Sequence, residues 1–271
     1  MPTPLTVSDI EKMAKTLHRA TGAAYFFDEP MVYVASADDP LFVRFKTIIG
    51  PHHWTPQEAL AHARPGGVAR SVLVWVLPVR REIRESNRPQ TTRPSEAWAA
   101  MRSFGEQPNT QMKRQMARVL EAKGWAAVSP HETQIGEGLD VMKCAATGSF
   151  WSERHAAFVA GAGTFGLSGG LITERGVAMR LGSVVTDLPL PASPRPYGED
   201  PFAWCTRCGA CARRCPSGSV GLSPEARDKL KCANHIVGHV SPGREDRYGW
   251  MDLGLGCGLC QTAVPCEDRR P

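Results

Sequence analysis

Eight cysteines lie in the last quarter of this 271-residue chain, and they constrain its fold more than any other feature. Four of them form a C-x2-C-x2-C-x3-C run that is followed by proline, and the others come singly or as a C-x2-C pair. In chain order they are Cys205, Cys208, Cys211, Cys215, Cys232, Cys257, Cys260 and Cys266. Each 4Fe–4S cluster is held by four cysteine thiolates, so eight thiolates match two such clusters. The pattern therefore predicts a module with two iron–sulfur clusters.

The order of the cysteines also predicts how they divide between the clusters. In two-cluster ferredoxins the first three cysteines of such a run bind one cluster, and the fourth, before proline, binds the other. The first cluster is therefore assigned Cys205, Cys208, Cys211 and Cys266. The second cluster is assigned Cys215, Cys232, Cys257 and Cys260. Cys266 departs from the usual spacing, because Gln261–Pro265 separate it from Cys260 and proline precedes it.

Zinc and disulfide bonds are the alternatives for a cysteine-rich segment. A zinc site uses four ligands and leaves the third cysteine of the run and the Cys215–Pro216 pair unexplained. Disulfide frameworks belong to secreted proteins, and the N-terminal residues lack the basic-then-apolar pattern of a signal peptide. The ninth cysteine, Cys144, is left as a free thiol. Together with the predicted clusters, it favours the reducing cytoplasm.

The cysteine-rich segment is too short to account for the whole chain. We predict a boundary near Pro201 that separates a large domain, residues 1–200, from a cluster module, residues 201–271. The net charge of +5 is too small to favour a nucleic-acid partner. No apolar run approaches the ~18 residues that a membrane span requires, so no membrane association is expected.

Hydrophobic periodicity predicts a mixture of helices and strands in the large domain, in an α/β or α+β layer. Ser71–Leu77 is a continuous apolar run, which predicts a central strand buried on both faces. Asn109 is predicted to cap a helix that ends at Gly124.

Charged residues follow the predicted central strand. They are Arg80, Arg81, Arg84, Arg88 and Arg93. Ligands of open α/β sheets gather at the carboxyl ends of the strands, so these arginines could meet an anionic or amide-rich ligand. The alternative is a solvated, charged helix face.

Four residues are candidates for acid–base chemistry. His52 and His53 precede a predicted helix, and they are either acid–base groups or surface and packing residues. One metal ion is not expected to bind both, because adjacent side chains point apart. Asp140 and Glu153 are further candidate proton donors, although Glu153 alternatively caps its own helix.

A glycine-rich stretch, Gly161–Gly170, is the second unusual feature of the sequence. Glycine at this density lets the backbone approach a large flat ligand, or it simply turns the chain. The stretch follows a predicted helix and precedes a predicted strand, which is the reverse of a dinucleotide-binding loop. That order argues against NAD.

Three segments together with the cysteine framework resemble the superfamily of epoxyqueuosine reductases and respiratory reductive dehalogenases. The segments span residues 151–157, 160–173 and 180–190. The resemblance implies an α+β fold, in which a nitroreductase-like α/β sandwich domain holds cobalamin and a C-terminal dicluster ferredoxin-like module supplies electrons. The clusters would reduce the corrinoid to Co(I), and the organometallic chemistry would be the cofactor's own.

The resemblance also implies which residues contact the corrinoid. They are Gly161, Gly163, Thr164, Phe165, Gly166, Leu167, Ser168, Gly169, Ser183 and Thr186. Epoxyqueuosine reductases carry a catalytic aspartate where this chain has Thr147. They also bind tRNA with a helical repeat that follows the clusters, and we do not expect that repeat within the sequence up to Pro271. The tyrosine acid of the dehalogenases cannot be placed, and no twin-arginine leader is present.

The sequence therefore predicts a cytoplasmic reductase that depends on cobalamin and two 4Fe–4S clusters and acts on a small molecule. Its electrons would come from an external low-potential donor, a ferredoxin or a flavodoxin. One alternative is an electron-transfer protein that serves a separate corrinoid protein or oxidoreductase. Another is reduction of epoxyqueuosine in tRNA.

Overall fold

A computed structural model describes residues 2–131, 148–243 and 256–271. Its α-helices are α1 (Val7–Ala20), α2 (Leu41–Ile48), α3 (Pro56–Ala63), α4 (Arg81–Asn87), α5 (Glu96–Phe104), α6 (Glu106–Ala122), α7 (Glu153–Val159), α8 (Ala210–Arg213) and α9 (Lys229–His235). The strands are β1 (Met31–Ser36), β2 (Ser71–Pro78), β3 (Ala127–Val128), β4 (Gly163–Phe165), β5 (Leu171–Thr173) and β6 (Met179–Thr186). Short 3-10 turns span Ala23–Tyr25, Pro224–Ala226 and Leu259–Gln261, and a π turn spans Ile236–Val240.

The main sheet has four strands in the order β1-β2-β6-β3, and every neighbouring pair is antiparallel. All eight residues of β2 are buried, which confirms the central strand predicted from the apolar run Ser71–Leu77. The antiparallel order removes the reason for expecting a ligand at the carboxyl end of β2, because that rule holds for parallel sheets.

Two apolar cores cover the two faces of this sheet. Alternate β2 residues point to opposite sides, so Val74 belongs to one core and Trp75 to the other. Helices α2, α3 and α7 pack on the first face, and α1, α5 and α6 pack on the second. The described residues therefore form a mixed α+β structure with helices on both sides of one sheet.

Asn109 lies inside α6 and does not cap a helix, so that prediction is wrong. Its side chain accepts a hydrogen bond from Trp75 Nε1 at 3.1 Å and donates one to the Leu181 carbonyl at 2.9 Å. Asparagine is a good cap because its amide bonds to free backbone groups, and here the same amide bonds to the sheet instead. Tertiary contacts thus override the local preference.

The segment before Pro201 hydrogen-bonds to β1, the strand at one edge of the sheet. The Val34 amide donates to Ser193 Oγ at 2.9 Å, and the Ser193 amide donates to the Val34 carbonyl at 2.8 Å. The division of the chain near Pro201 stays a prediction. No helix in the described ranges is both long and apolar enough to cross a bilayer.

Candidate functional site

Four cysteine sulfurs meet beside the glycine-rich stretch. Cys205, Cys208, Cys211 and Cys266 line a single cavity together with Gly166, Leu167 and Ser168. Burial raises the pKa of the Cys266 thiol to about 12, and its neighbours Cys211, Cys205 and Cys208 add to that increase. The shift reflects thiols crowded together out of water, where several negative charges need a cation to balance them.

The other four cysteines form a second group. Burial and, to a smaller extent, the nearby thiols of Cys232 and Cys215 together raise the pKa of Cys257 to about 11. Burial also raises the pKa of Cys260, with Cys257, Cys232 and Cys215 again as neighbours. The eight thiols thus lie in two groups of four, and the assignment of each group to one cluster stays a prediction. Their role as cluster ligands belongs to the proposal below.

Cys215 differs from its neighbours because its sulfur has hydrogen-bond partners. Ser217 Oγ and Ser219 Oγ each lie 3.3 Å from the sulfur. Burial opposes ionisation, but these hydroxyls and the backbone amides of Ser219 and Val220 outweigh it and lower the pKa of Cys215 to about 7. Hydrogen bonds of this kind stabilise a thiolate sulfur.

The backbone around both groups has left-handed turns. Arg207 and Ala263 have φ of 54° and 53°, and they are the non-glycine residues with positive φ in the described ranges. Gly209 and Gly258 also have positive φ, at 71° and 67°. Alternating left-handed residues turn successive amide N–H groups into a concavity that suits an anion, as in many iron–sulfur sites.

The separation of the thiols bears on the kind of metal site that they could form. Within the described residues, no three cysteine, histidine or acidic side chains are close enough to bind one ion together. Four thiolates around one zinc would stand only about 4 Å apart, since each Zn–S bond is ~2.3 Å. A cubane presents four separate irons and needs its thiolates further apart. The eight cysteines are free thiols in this structure, so a disulfide framework is not formed among them.

Two of the arginines after β2, Arg84 and Arg88, bind the cysteine-rich tail, so neither predicted alternative describes them. Arg80 and Arg81 instead pair with Glu82 and Glu85 on an exposed face, as the second alternative predicts. Arg84 Nη1 lies 3.0 Å from Asp268 Oδ2, and Arg88 Nη2 lies 2.9 Å from Glu267 Oε1. Arg84 Nε also donates to the Val79 carbonyl at 2.9 Å. The anion that these arginines meet is thus a part of the same chain, next to Cys266.

The glycine-rich stretch forms the β4–β5 hairpin and holds the cysteine-rich segment in place. The Phe165 amide donates to the Pro201 carbonyl at 2.6 Å, and Thr164 Oγ1 accepts a hydrogen bond from the Trp204 amide at 3.0 Å. A Cβ at Gly163 would overlap the backbone of Ile172. Glycine is therefore used here for close contact between backbones.

The remaining predicted corrinoid contacts occupy different environments. Gly161 has φ of 87° and packs on the Pro194 carbonyl, whereas Gly169 has no atom within 3.4 Å of the position that a Cβ would take. Ser183 is fully buried and accepts a hydrogen bond from Trp151 Nε1 at 2.9 Å. Thr186 is also fully buried, and its hydroxyl donates to the Ala126 carbonyl at 2.7 Å. The corrinoid-binding roles of these residues stay predictions.

Of the acid–base candidates, His53 is the most distinctive. Its side chain is 1% exposed and stacks on Trp151 with ring centroids 6.0 Å apart. Burial and, to a smaller extent, the charge of Lys46 together lower the pKa of His53 to about 4. Neither ring nitrogen has a hydrogen-bond partner among the described residues. The imidazole is therefore neutral at physiological pH.

Glu153 is a second candidate with unsatisfied atoms. Both carboxylate oxygens are buried, and within the described part of the chain neither has a hydrogen-bond partner. The carboxylate does not cap α7, so this alternative from the sequence is wrong. His52 Nε2 is likewise buried and unpaired in the described ranges. Asp140, with Cys144 and Thr147, lies outside the described residues.

His155 is a site residue that the sequence reasoning did not select. Its Nδ1 lies 2.7 Å from Ser152 Oγ, and its ring lies between Phe45 and Phe165, with both centroids 4.8 Å away. Burial lowers the pKa of His155 to about 3, and the charges of Arg154 and His53 add to the effect. The residue connects the histidine region to the glycine-rich stretch. Its position two residues after Glu153 is the only signal in the sequence that pointed to it.

Solved structures share this fold. An epoxyqueuosine reductase from Bacillus subtilis, with its catalytic loop swung out of the active site, aligns with a TM-score of 0.53 and 18% identity over 95% of this chain and 66% of that chain. An epoxyqueuosine reductase with a modified tRNA-Tyr stem loop aligns with a TM-score of 0.54 and 17% identity over the same shares. A reductive dehalogenase, whose structure suggests a mechanism for B12-dependent dehalogenation, aligns with a TM-score of 0.55 and 17% identity over 92% of this chain and 31% of that chain.

These alignments confirm, at the level of the fold, the resemblance inferred from the sequence. The chain spans 66% of the length of the epoxyqueuosine reductases and 31% of that of the dehalogenase. No protein-family model matches the sequence, and no curated protein matches it significantly.

Proposed function

We propose that the chain is an iron–sulfur, cobalamin-dependent reductase of a small molecule, built on a nitroreductase-like domain with a dicluster ferredoxin-like module. The observation that carries the proposal is the pair of four-thiol groups, the first of which shares a cavity with Gly166–Ser168. The reductase fold of the solved structures supports it. We further propose that the protein works in the cytoplasm.

The thiolates would hold the two clusters, which pass electrons one at a time. The protein keeps water away from most of the sulfurs, because Cys208 is the one exposed member of the eight. The seven others are partly buried, so the clusters would lie in a medium of low polarity and close to the large domain.

A corrinoid, when bound, supplies a cobalt centre that can be reduced by the clusters and can attack an organic substrate. Buried polar atoms without hydrogen-bond partners in the described ranges support the proposal, because the rim of a corrinoid carries amide groups that can hydrogen-bond to such atoms. The Glu153 oxygens would accept from these amides, and the His53 ring would donate or accept. His155, which is held by Ser152 and packs on Phe45, would be a further contact of the same ligand.

Corrinoid uptake tests this proposal. The anaerobically reconstituted protein would be mixed with hydroxocobalamin, desalted, and assayed for cobalt and for its visible spectrum. We expect about one tightly held corrinoid per chain. We also expect weaker retention in Glu153→Gln and unchanged retention in Glu11→Gln, which alters an exposed carboxylate of α1. A protein with full clusters that retains no corrinoid would contradict the proposal.

A second candidate function is electron transfer to a separate corrinoid protein or oxidoreductase. It is favoured by the close packing of Gly161, Gly163, Ser183 and Thr186 inside the protein, where they present little surface to a ligand. This function predicts intact, reducible clusters and no corrinoid uptake. The same result would contradict the proposed cobalamin-dependent reductase.

A further inference from the structure

The eight cysteines of the proposed clusters differ in their exposure, and Cys208 is the exposed one among them. Electron transfer between proteins weakens steeply with distance, so an external donor must approach a cluster where little protein covers it. If the proposed clusters are present, Cys208 marks that place on the first cluster.

The surface around Cys208 is basic. Arg207 and Arg213 are both exposed, and Arg213 Nη1 donates to the Cys208 carbonyl at 3.1 Å. Neither arginine has an ion-pair partner within 4.0 Å in the described residues. Hydrogen bonds to its own backbone and to Ser223 lower the pKa of Glu225, and the charge of Arg207 contributes. Two cations therefore face solvent beside the exposed sulfur, and Glu225 lies near Arg207.

An apolar side chain lies beside these cations. Leu222 is 71% exposed, and its Cδ2 lies 2.9 Å from the position that a Cβ on Gly209 would take. A solvated leucine next to a cluster ligand has no evident role in the fold. Complexes that transfer electrons bury small interfaces and are guided by charge, and this surface combines cations with an apolar side chain.

We infer that the surface formed by Arg207, Cys208, Arg213 and Leu222 is the docking site of an acidic, one-electron carrier protein of low potential. One electron passes from the reduced carrier to the first cluster, and the carrier leaves oxidised by one electron with no atom transferred. The inference rests on the proposed function, since it requires that the first thiol group hold a redox cluster.

Stopped-flow reduction of the holoprotein tests the inference. The probe is a reduced 2Fe–2S ferredoxin with an acidic surface, and the reference reductant is dithionite, which is small and needs no docking site. We expect Arg213→Glu to slow reduction by the ferredoxin about ten-fold at low ionic strength, and to flatten its salt dependence. Reduction by dithionite and the iron content should stay at the wild-type level.

Lys12→Glu is the matched control, because Lys12 is 76% exposed on α1 and the substitution changes the net charge by the same amount. It should leave the ferredoxin rate within about two-fold of wild type. Leu222→Glu is a second test variant, at an exposed position that makes no hydrogen bond to a cysteine, and we expect the same selective slowing.

Equal ferredoxin rates for Arg213→Glu, Leu222→Glu and Lys12→Glu, with full clusters in each, would overturn the docking site alone. Wild-type protein that forms no clusters would overturn both the docking site and the proposed function. The two failures are thus distinguishable.

Discussion

Arg84 Nη1 lies 3.1 Å from Glu267 Oε1, and the two side chains are 8% and 4% exposed. The pair joins α4 to the residue that follows Cys266, across 183 positions of sequence. Glu267 Oε2 also accepts a hydrogen bond from the Ala263 amide at 2.7 Å. The Val177 amide donates to the Cys266 carbonyl at 2.8 Å. The loop that carries Cys266 is therefore fixed on two sides, by Arg84 of α4 and by Val177.

Replacing Arg84 by methionine should destabilise the protein by roughly 2 to 4 kcal/mol, because it leaves the Glu267 carboxylate buried with only the half-exposed Arg88 as a cationic partner. Thermal unfolding of the anaerobic holoprotein would show this as a lower Tm. Arg44→Met is the control, since it breaks an exposed pair with Glu199 and should cost less than about 1 kcal/mol. Equal Tm values for the two variants would show that the buried pair does not hold the tail.

Cys266→Ala should remove the first cluster and keep the second, because Cys266 lies with Cys205, Cys208 and Cys211. The iron content would fall from about eight to about four per chain. Cys144→Ser, which changes the ninth cysteine, should leave the iron content unchanged. A loss of iron in Cys144→Ser, or full iron in Cys266→Ala, would refute the assignment of ligands.

The buried His53 should make the stability depend on pH. Its pKa is about 4 in the folded protein, against ~6.5 in the unfolded chain. The unfolded state therefore binds a proton more readily, and stability falls as the pH drops from 6.5 towards 4. Between pH 7 and pH 5 the loss from this residue should be about 1 to 2 kcal/mol.

Urea unfolding at these two pH values, followed by tryptophan fluorescence, would measure the effect. His53→Phe keeps a ring on Trp151 and should remove about 1 to 2 kcal/mol of the pH dependence. His62→Gln, at an exposed position, should not change it. An unaltered pH dependence in His53→Phe would mean that the buried imidazole is not the titrating group.

Gly258→Ala should loosen the loop between Cys257 and Cys260. Gly258 has φ of 67°, and a Cβ there would overlap the indole of Trp98. Strain and overlap together should cost at least about 2 kcal/mol and lower iron retention. Gly238→Ala is the control, because no atom lies within 4 Å of its Cβ position. Matching iron content in the two variants would contradict the role of the close contact.

Local sequence patterns were sufficient where the structure depends on local geometry. The run Ser71–Leu77 predicted the buried strand, because six of its seven residues, all but Ser71, are apolar. The short intervals from Cys205 to Cys211 predicted that these thiols lie together, and the fold places them in one cavity with Cys266, whereas the division of all eight between two clusters stays a prediction.

The sequence could not reveal contacts between distant segments. Asn109 has the chemistry of a helix cap, and its actual partners are Trp75 and Leu181 in the sheet. Arg84 follows a strand, as a ligand-binding residue would, and its partner is the tail residue Glu267. Both pairings depend on tertiary proximity, for which a single sequence carries no signal.

The account depends most directly on the two thiol groups, and the iron and acid-labile sulfide content of the anaerobically reconstituted protein tests them. We expect about eight irons and about eight sulfides per chain, with the electron paramagnetic resonance spectrum of two 4Fe–4S clusters after reduction. Zinc in place of iron, or about four irons or fewer in fully folded protein, would contradict the account.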